Sequence, residues 1–141
     1  MTSSKVQVAR QFIEAIPHSR DLGMQLTDLE DGIATILLPY DKKLIGDPDT
    51  GVIHGGAVSA VMDTCCGAAV MSHPSNPGGT ATIDLRIDYM RAATPGQTIK
   101  TVAPCYHVPR NVAFVRAVAM DADEENPVAT ATGTFTVEGR R

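Results

Sequence analysis

The chain has no run of basic residues, and its 12 Lys and Arg are outnumbered by 16 Asp and Glu, for a net charge of −4 over 141 residues. That balance argues against a nucleic-acid binder, which needs a dense cationic face to displace counterions from phosphates. Cysteine is sparse: Cys65, Cys66 and Cys105 are the only three, and neither a CxxC pair nor an HExxH spacing occurs. No metal site is expected from that pattern, and no cofactor. Cys65 and Cys66 are neighbours whose side chains point apart on a helix, so reduced, core-filling thiols are expected rather than a disulfide. The N-terminal MTSSKVQVARQF lacks the charged-then-apolar order of a signal peptide. With the reduced thiols, this predicts a cytoplasmic protein. The most apolar segment, GGAVSAVMDTCCGAAVMS over residues 55–72, is too short and glycine-rich for a membrane span. It reads instead as a helix buried in a core.

The length fits one domain, residues 1–141, with a sizeable core and no repeats or linkers. Within the first 20 residues, Lys5 to Ile16 carries apolar side chains at helical spacing. Ser3 or Ser4 is placed to cap that helix, and Pro17 to stop it. Gly23 to Glu30 and Gly32 to Tyr40 read as strands joined by an Asp31-Gly32 hairpin turn. Lys42 to Ile53, with its GDPDTG, reads as a loop. After the apolar helix the period changes to two. In TATIDLRIDY, Thr80, Thr82, Asp84, Arg86 and Asp88 alternate with apolar residues and Tyr89. Strands follow over Gln97 to His107, Asn111 to Asp121, and a final segment with Thr130, Thr132, Thr134 and Thr136 on one face. Hairpin-length connections imply an antiparallel sheet. That sheet must wrap the single apolar helix, and the edge or flank it leaves uncovered predicts a dimer.

Asp63 is the only charged side chain in the helical segment. An unpaired buried carboxylate costs several kcal/mol, about the range seen for badly placed charges. Asp63 therefore ranks first as a catalytic group, with a structural ion pair as the competing explanation. Its helical neighbours at three, four and seven residues are Gly56, Ser59, Ala60, Cys66, Gly67 and Val70. That mostly small face fits either close packing against another backbone or a slot for a slender acyl chain. At the helix start, Gly55 and Gly56 permit close approach of a ligand oxygen to unpaired amides, a setting suited to an oxyanion. A simple tight turn is the other reading. His54 is a donor, a base or a structural side chain. His18, His73 and His107 read as surface or turn residues.

Taken together, GVIHGGAVSAVMDTCCGAA resembles the hotdog-fold acyl-CoA thioesterases of the PaaI (phenylacetate-pathway) type. Their pattern, a Gly three residues before HGG and an Asp nine residues after the His, is matched by Gly51, His54, Gly55, Gly56 and Asp63. The resemblance covers about residues 23–137. It implies an α+β hotdog fold, an antiparallel sheet wrapped around one long central helix, with at least a homodimer and more often a homotetramer. It also implies hydrolysis of an acyl-CoA substrate to the free acid and coenzyme A. Asp63 would be general base or nucleophile, a Gly55 or Gly56 amide the oxyanion donor, and His54 a positioning group. Thr82 falls where relatives place a Ser or Thr that orients the water. The HGG segment and the Asp of one site would come from different subunits. One departure is Pro48, where many relatives carry an Asn; the adjacent Asp47 is a candidate anchor for that loop.

Because coenzyme A is anionic, Arg91 and Arg110, both just beyond strand ends, are candidate phosphate contacts. Two other functions fit parts of the pattern. A hotdog enoyl-thioester hydratase would use His54 with Asp63 to move protons, and a non-catalytic acyl-CoA sensor would keep the cleft without turnover. Neither a nucleic-acid nor a membrane partner is expected.

Overall fold

The computed structural model describes residues 4–76 and 78–138. Ser3, one of the two expected caps, lies outside them. Helix α1 spans Ser4–Ala15. Helix α1 stops before Pro17, as expected, and the same proline starts a second helix, α2, Pro17–Leu22. At the first position of a helix the missing N–H and fixed φ of proline carry no penalty.

Strands β1 (Gln25–Glu30) and β2 (Ile33–Leu38) form the expected hairpin. Asp31 at φ 45° and Gly32 at φ 90° give its turn the left-handed pair that matches strand twist. The segment read as a loop contains a single 3-10 turn, Lys42–Leu44, and a small hairpin of β3 (Ile45–Asp47) and β4 (Val52–Ile53). Three and two residues are too few to show a period, which is why the sequence pattern missed them.

Helix α3 runs from Gly55 to Ser72, and strands β5 (Thr82–Tyr89), β6 (Ile99–His107), β7 (Val112–Met120) and β8 (Ala129–Thr136) follow. The main sheet is antiparallel in the order β1-β2-β6-β7-β8-β5. Its inner face is lined by small residues, among them Ala34, Ala103, Ala113, Ala117, Ala119, Ala129 and Ala131, all buried. Short side chains let the sheet approach α3 closely, and Val61, Met62, Cys65, Cys66, Ala69 and Val70 of the helix fill the space between. The apolar helix is thus covered by the sheet. Among the described residues all three cysteines are free and buried, as expected.

The two sheet edges differ. Helix α1 packs on β1, and the Arg10 Nε–H donates to the Leu26 carbonyl at 2.9 Å. Strand β5 forms the other edge, with Ile83 and Tyr89 exposed.

Two tertiary ties hold the ends of this wrap. At one end the Gly32 N–H donates to Ser72 Oγ at 3.0 Å, while Cys105 N–H donates to the Gly32 carbonyl at 2.7 Å. The β1–β2 turn is thereby bound to the last turn of α3. At the other end Arg91 grips Asp121, with Nη1 and Nη2 donating to the two carboxylate oxygens at 2.8 and 2.7 Å. The buried Asp121 carboxylate also accepts the Thr94 and Asp123 amides. The Arg91 guanidinium and these amides hold the Asp121 carboxyl well below the usual carboxylate range.

Gly32→Ala should destabilise the fold by about 2 kcal/mol, from left-handed strain and from contact of the new Cβ with the His73 ring, at 2.8 Å. Thermal or urea unfolding measures this. For Asp121, whose folded pKa is depressed, the stabilisation is present above the ordinary value of about 3.9 and is lost as pH falls through the folded value. Asp121→Asn should therefore cost about 3 kcal/mol at pH 7. Its deficit against wild type should shrink progressively below about pH 4, as read from urea midpoints across pH.

Candidate active site

The start of α3 is built by His54. Its φ of −59° and ψ of 135° make it the N-cap, and its ring Nδ1 accepts the Gly56 N–H at 2.8 Å. An accepting Nδ1 carries a lone pair, so the neutral ring bears its proton on Nε2. The Ala57 N–H donates to the His54 carbonyl at 3.0 Å. Of the two glycine amides, Gly56 is therefore engaged, whereas Gly55 N–H has no acceptor among the described residues. A Cβ at Gly56 would stand 2.9 Å from His54 Nδ1, so the glycine makes room for the capping ring. The preceding loop is held by Asp47, whose carboxylate accepts the Asp49 N–H at 3.0 Å and the Thr50 hydroxyl at 2.9 Å. Those bonds lower its pKa from the ordinary value. Pro48 is exposed beside it.

Tyr89, at the end of β5, donates its hydroxyl to the Gly55 carbonyl at 3.0 Å. No local pattern singles Tyr89 out, because the contact joins residues 34 apart.

Asp63 lies two turns further along α3, about 12 Å from Gly55 along the helix axis. It is half-buried rather than enclosed in the core. The Thr82 hydroxyl donates to Asp63 Oδ1 at 2.7 Å. Strict alternation along β5 would have grouped Thr82 with Asp84 and Arg86 on the polar face. A bulge between Thr82 and Asp84 breaks that alternation, and Thr82 meets the helix.

The Asp63 carboxylate and Thr82 lie on the wall of a mainly apolar cavity of about 430 Å³, whose other polar lining residues are Thr64, Ser72 and Thr80. Its walls come from α1 (Val8, Phe12, Ile16), from α3 (Gly67, Met71) and from Phe135 of β8. The small face expected around Asp63 divides in the structure. Gly67 opens onto the cavity, whereas Cys66 and Val70 are fully buried in the core. Burial, aided by Asp63 and Cys105, pushes the Cys66 thiol up to about 12, and burial raises Cys65 as well. Such thiols stay protonated at neutral pH and do not act as nucleophiles.

The remaining candidates stand apart within one chain. Asp63 and Thr82 meet; Gly55 meets Tyr89, beside the His54 cap; among the described residues no hydrogen bond joins the two clusters. Arg91 directs Nε–H to the Asn126 carbonyl and an Nη1 N–H to the Ala92 carbonyl, besides its pair with Asp121. Arg110, exposed at φ 52° in the β6–β7 turn, lies at the opposite end of those strands from Arg91. A nine-residue strand puts about 25 Å between such ends. Among the described residues no group of three or more His, Cys, Asp or Glu is arranged to hold a metal ion.

Comparison with known proteins agrees with this architecture. The chain is 26% identical over 143 residues to the medium/long-chain acyl-CoA thioesterase YigI of Escherichia coli K12, covering 92% of this chain and 91% of that one. A solved structure of a Pseudomonas aeruginosa protein is 37% identical, with a TM-score of 0.83 over 94% of this chain and 98% of that one. The E. coli PaaI protein of the phenylacetic acid degradation operon shares the fold at 19% identity, with a TM-score of 0.83 over 99% of this chain and 98% of that one. The sheet wrapped on α3 is accordingly the α+β hotdog fold. Residues 50–128, more than half of the chain, match the thioesterase superfamily, and the chain belongs to that family.

Proposed function

We propose that the chain is an acyl-CoA thioesterase whose active site is shared between two subunits. The observation that carries this reading is the placement of the two clusters on edge strand β5. Thr82 with Asp63 sits at one end and Tyr89 with Gly55 at the other. An oxyanion donor and a general base serving one thioester carbonyl must each lie about 3 Å from reacting atoms. A gap of about 12 Å along the helix is too wide for that. Two-fold antiparallel pairing of β5 with its copy about Leu85 and Arg86 would set Thr82 of one chain opposite the partner's Tyr89. Asp63 of one chain would then face the partner's Gly55, and the open sheet edge would be closed in the same step.

In the shared site the Asp63 carboxylate accepts a proton from water, and the resulting hydroxide adds to the thioester carbonyl carbon. Thr82 holds Oδ1, leaving Oδ2 for the water. The partner's Gly55 N–H, at the positive end of α3, stabilises the oxyanion of the tetrahedral intermediate. Its collapse breaks the carbon–sulfur bond and releases coenzyme A as a thiolate. His54 positions the donor by capping the helix with the Gly56 amide, which keeps Gly55 for the substrate. Straight apolar acyl groups of medium to long chain suit the apolar cavity, in keeping with the name of the E. coli relative. Arg110 is the cation we assign to a coenzyme A phosphate. Arg91, neutralised by Asp121, contributes to the shape of that loop.

Asp63→Asn should lower kcat by at least about 100-fold while leaving the fold intact. Gly55→Pro removes the helix-start N–H, at a helix position and after a residue whose backbone both accept proline, and its Cβ would make ordinary contact with the Tyr89 ring at 3.6 Å. It should lower kcat by about 100- to 1,000-fold. Thiol release from a panel of acyl-CoA esters reads both, and full activity in either variant would remove that residue from the mechanism.

A further inference from the structure

We propose that Gly67 sets how long an acyl chain the site accepts. The inference rests on the thioesterase reading of the same site and goes beyond it by assigning chain-length selection to one position. Glycine is the poorest helix former after proline, and Gly67 stands well inside the 18-residue α3. Packing does not require it there. A Cβ added at Gly67 would meet only Phe135 Cε2 at 3.9 Å and Thr80 Cγ2 at 4.0 Å, ordinary contacts. At Gly133, by contrast, a Cβ would stand 2.9 Å from Phe135 Cε1. The space beside Gly67 is the cavity itself.

Gly67 lies one turn past Asp63, where a chain leaving the thioester carbon must pass. Along the helix Gly67 is about 6 Å and Met71 about 12 Å beyond Asp63, the reach of roughly five and ten carbons of an extended chain. Phe12 and Phe135 flank this path, and Met71 stands at its far end. Val8 and Phe12 of α1 are 66% and 56% exposed although apolar, as expected of residues lining the chamber rather than filling the core. The chamber thus takes straight acyl chains of about ten carbons, and a side chain at position 67 closes it at about half that length.

The test is the kcat/KM profile of wild type, Gly67→Ala and Gly67→Leu on straight-chain acyl-CoA esters from butanoyl to hexadecanoyl. Each methylene kept out of an apolar chamber forfeits about fourfold. About five methylenes of decanoyl are then kept out, so the decanoyl-to-butanoyl ratio should fall by about 1,000-fold in Gly67→Leu and by less in Gly67→Ala. The alanine variant should also melt about 2–4 °C higher, since its backbone is a better helix former. Calorimetric titration of the same esters into Asp63→Asn, with and without Gly67→Leu, reads the chamber without turnover. Hydrolysis with a ratio unchanged by Gly67→Leu overturns the assignment of Gly67. A binding profile that shortens in an enzyme that hydrolyses no ester upholds Gly67 and overturns the thioesterase reading. Failure of every ester both to bind and to react overturns both.

Discussion

One sheet cannot enclose one helix on every side, and that limit organises the rest of the molecule. The six-stranded sheet covers α3 from β1 round to β5 and leaves a seam between those edges. Helix α1 occupies part of the seam, and the apolar cavity lies beneath it with Asp63 on its wall. Edge strand β5 bounds the other side. The groups with chemistry to offer, Asp63, Thr82, Gly55 and His54, lie along that incomplete border, where a second copy of the chain would complete both the sheet and the site.

Stability and chemistry are carried by different residues. The Gly32–Ser72 tie and the Arg91–Asp121 pair fasten the ends of the wrap; Ser72 also lies on the cavity wall, whereas Arg91 and Asp121 do not line it. The cysteines fill the interface between α3 and the sheet as protonated thiols, with Cys65 Sγ directed at the Ala34 and Thr101 carbonyls at 3.3 and 3.4 Å. Small residues on the inner face of the sheet let α3 sit deep, so the carboxylate and the amide reach the border from one rigid helix rather than from mobile loops.

How much of this was legible in the sequence depends on how local each cause is. The bounds of α3 were, because His54 before the glycines and Pro74 after His73 are local signals. The Asp31-Gly32 turn and the alternation of β8 were legible for the same reason. Alternation alone groups Thr82 with the polar face, whereas a bulge that depends on pairing with β8 shifts the period by one residue and brings it to Asp63. Whether Gly55 or Gly56 keeps an open amide turns on the orientation of the His54 ring, which no spacing encodes. Arg91 resembled an open cation because its partner, Asp121, is 30 residues away. Pro17 is legible as the stop of α1, but not as the start of α2, a second role that proline at a first helical position also suits. The part α1 plays in the cavity depends on how it docks, and its periodicity shows only that it has an apolar face.

The sharing of one site between two subunits is tested most directly by complementation. Asp63→Asn and Gly55→Pro proteins would each be assayed alone, then mixed, dissociated and allowed to reassociate. If the base comes from one chain and the oxyanion donor from the other, half of the re-formed dimers are mixed and each contains one intact site. Activity should then return to about a quarter of wild type. A mixture that stays at the level of its inactive parents, with mixed dimers demonstrably present, would contradict the shared site and place all the chemistry within a single chain.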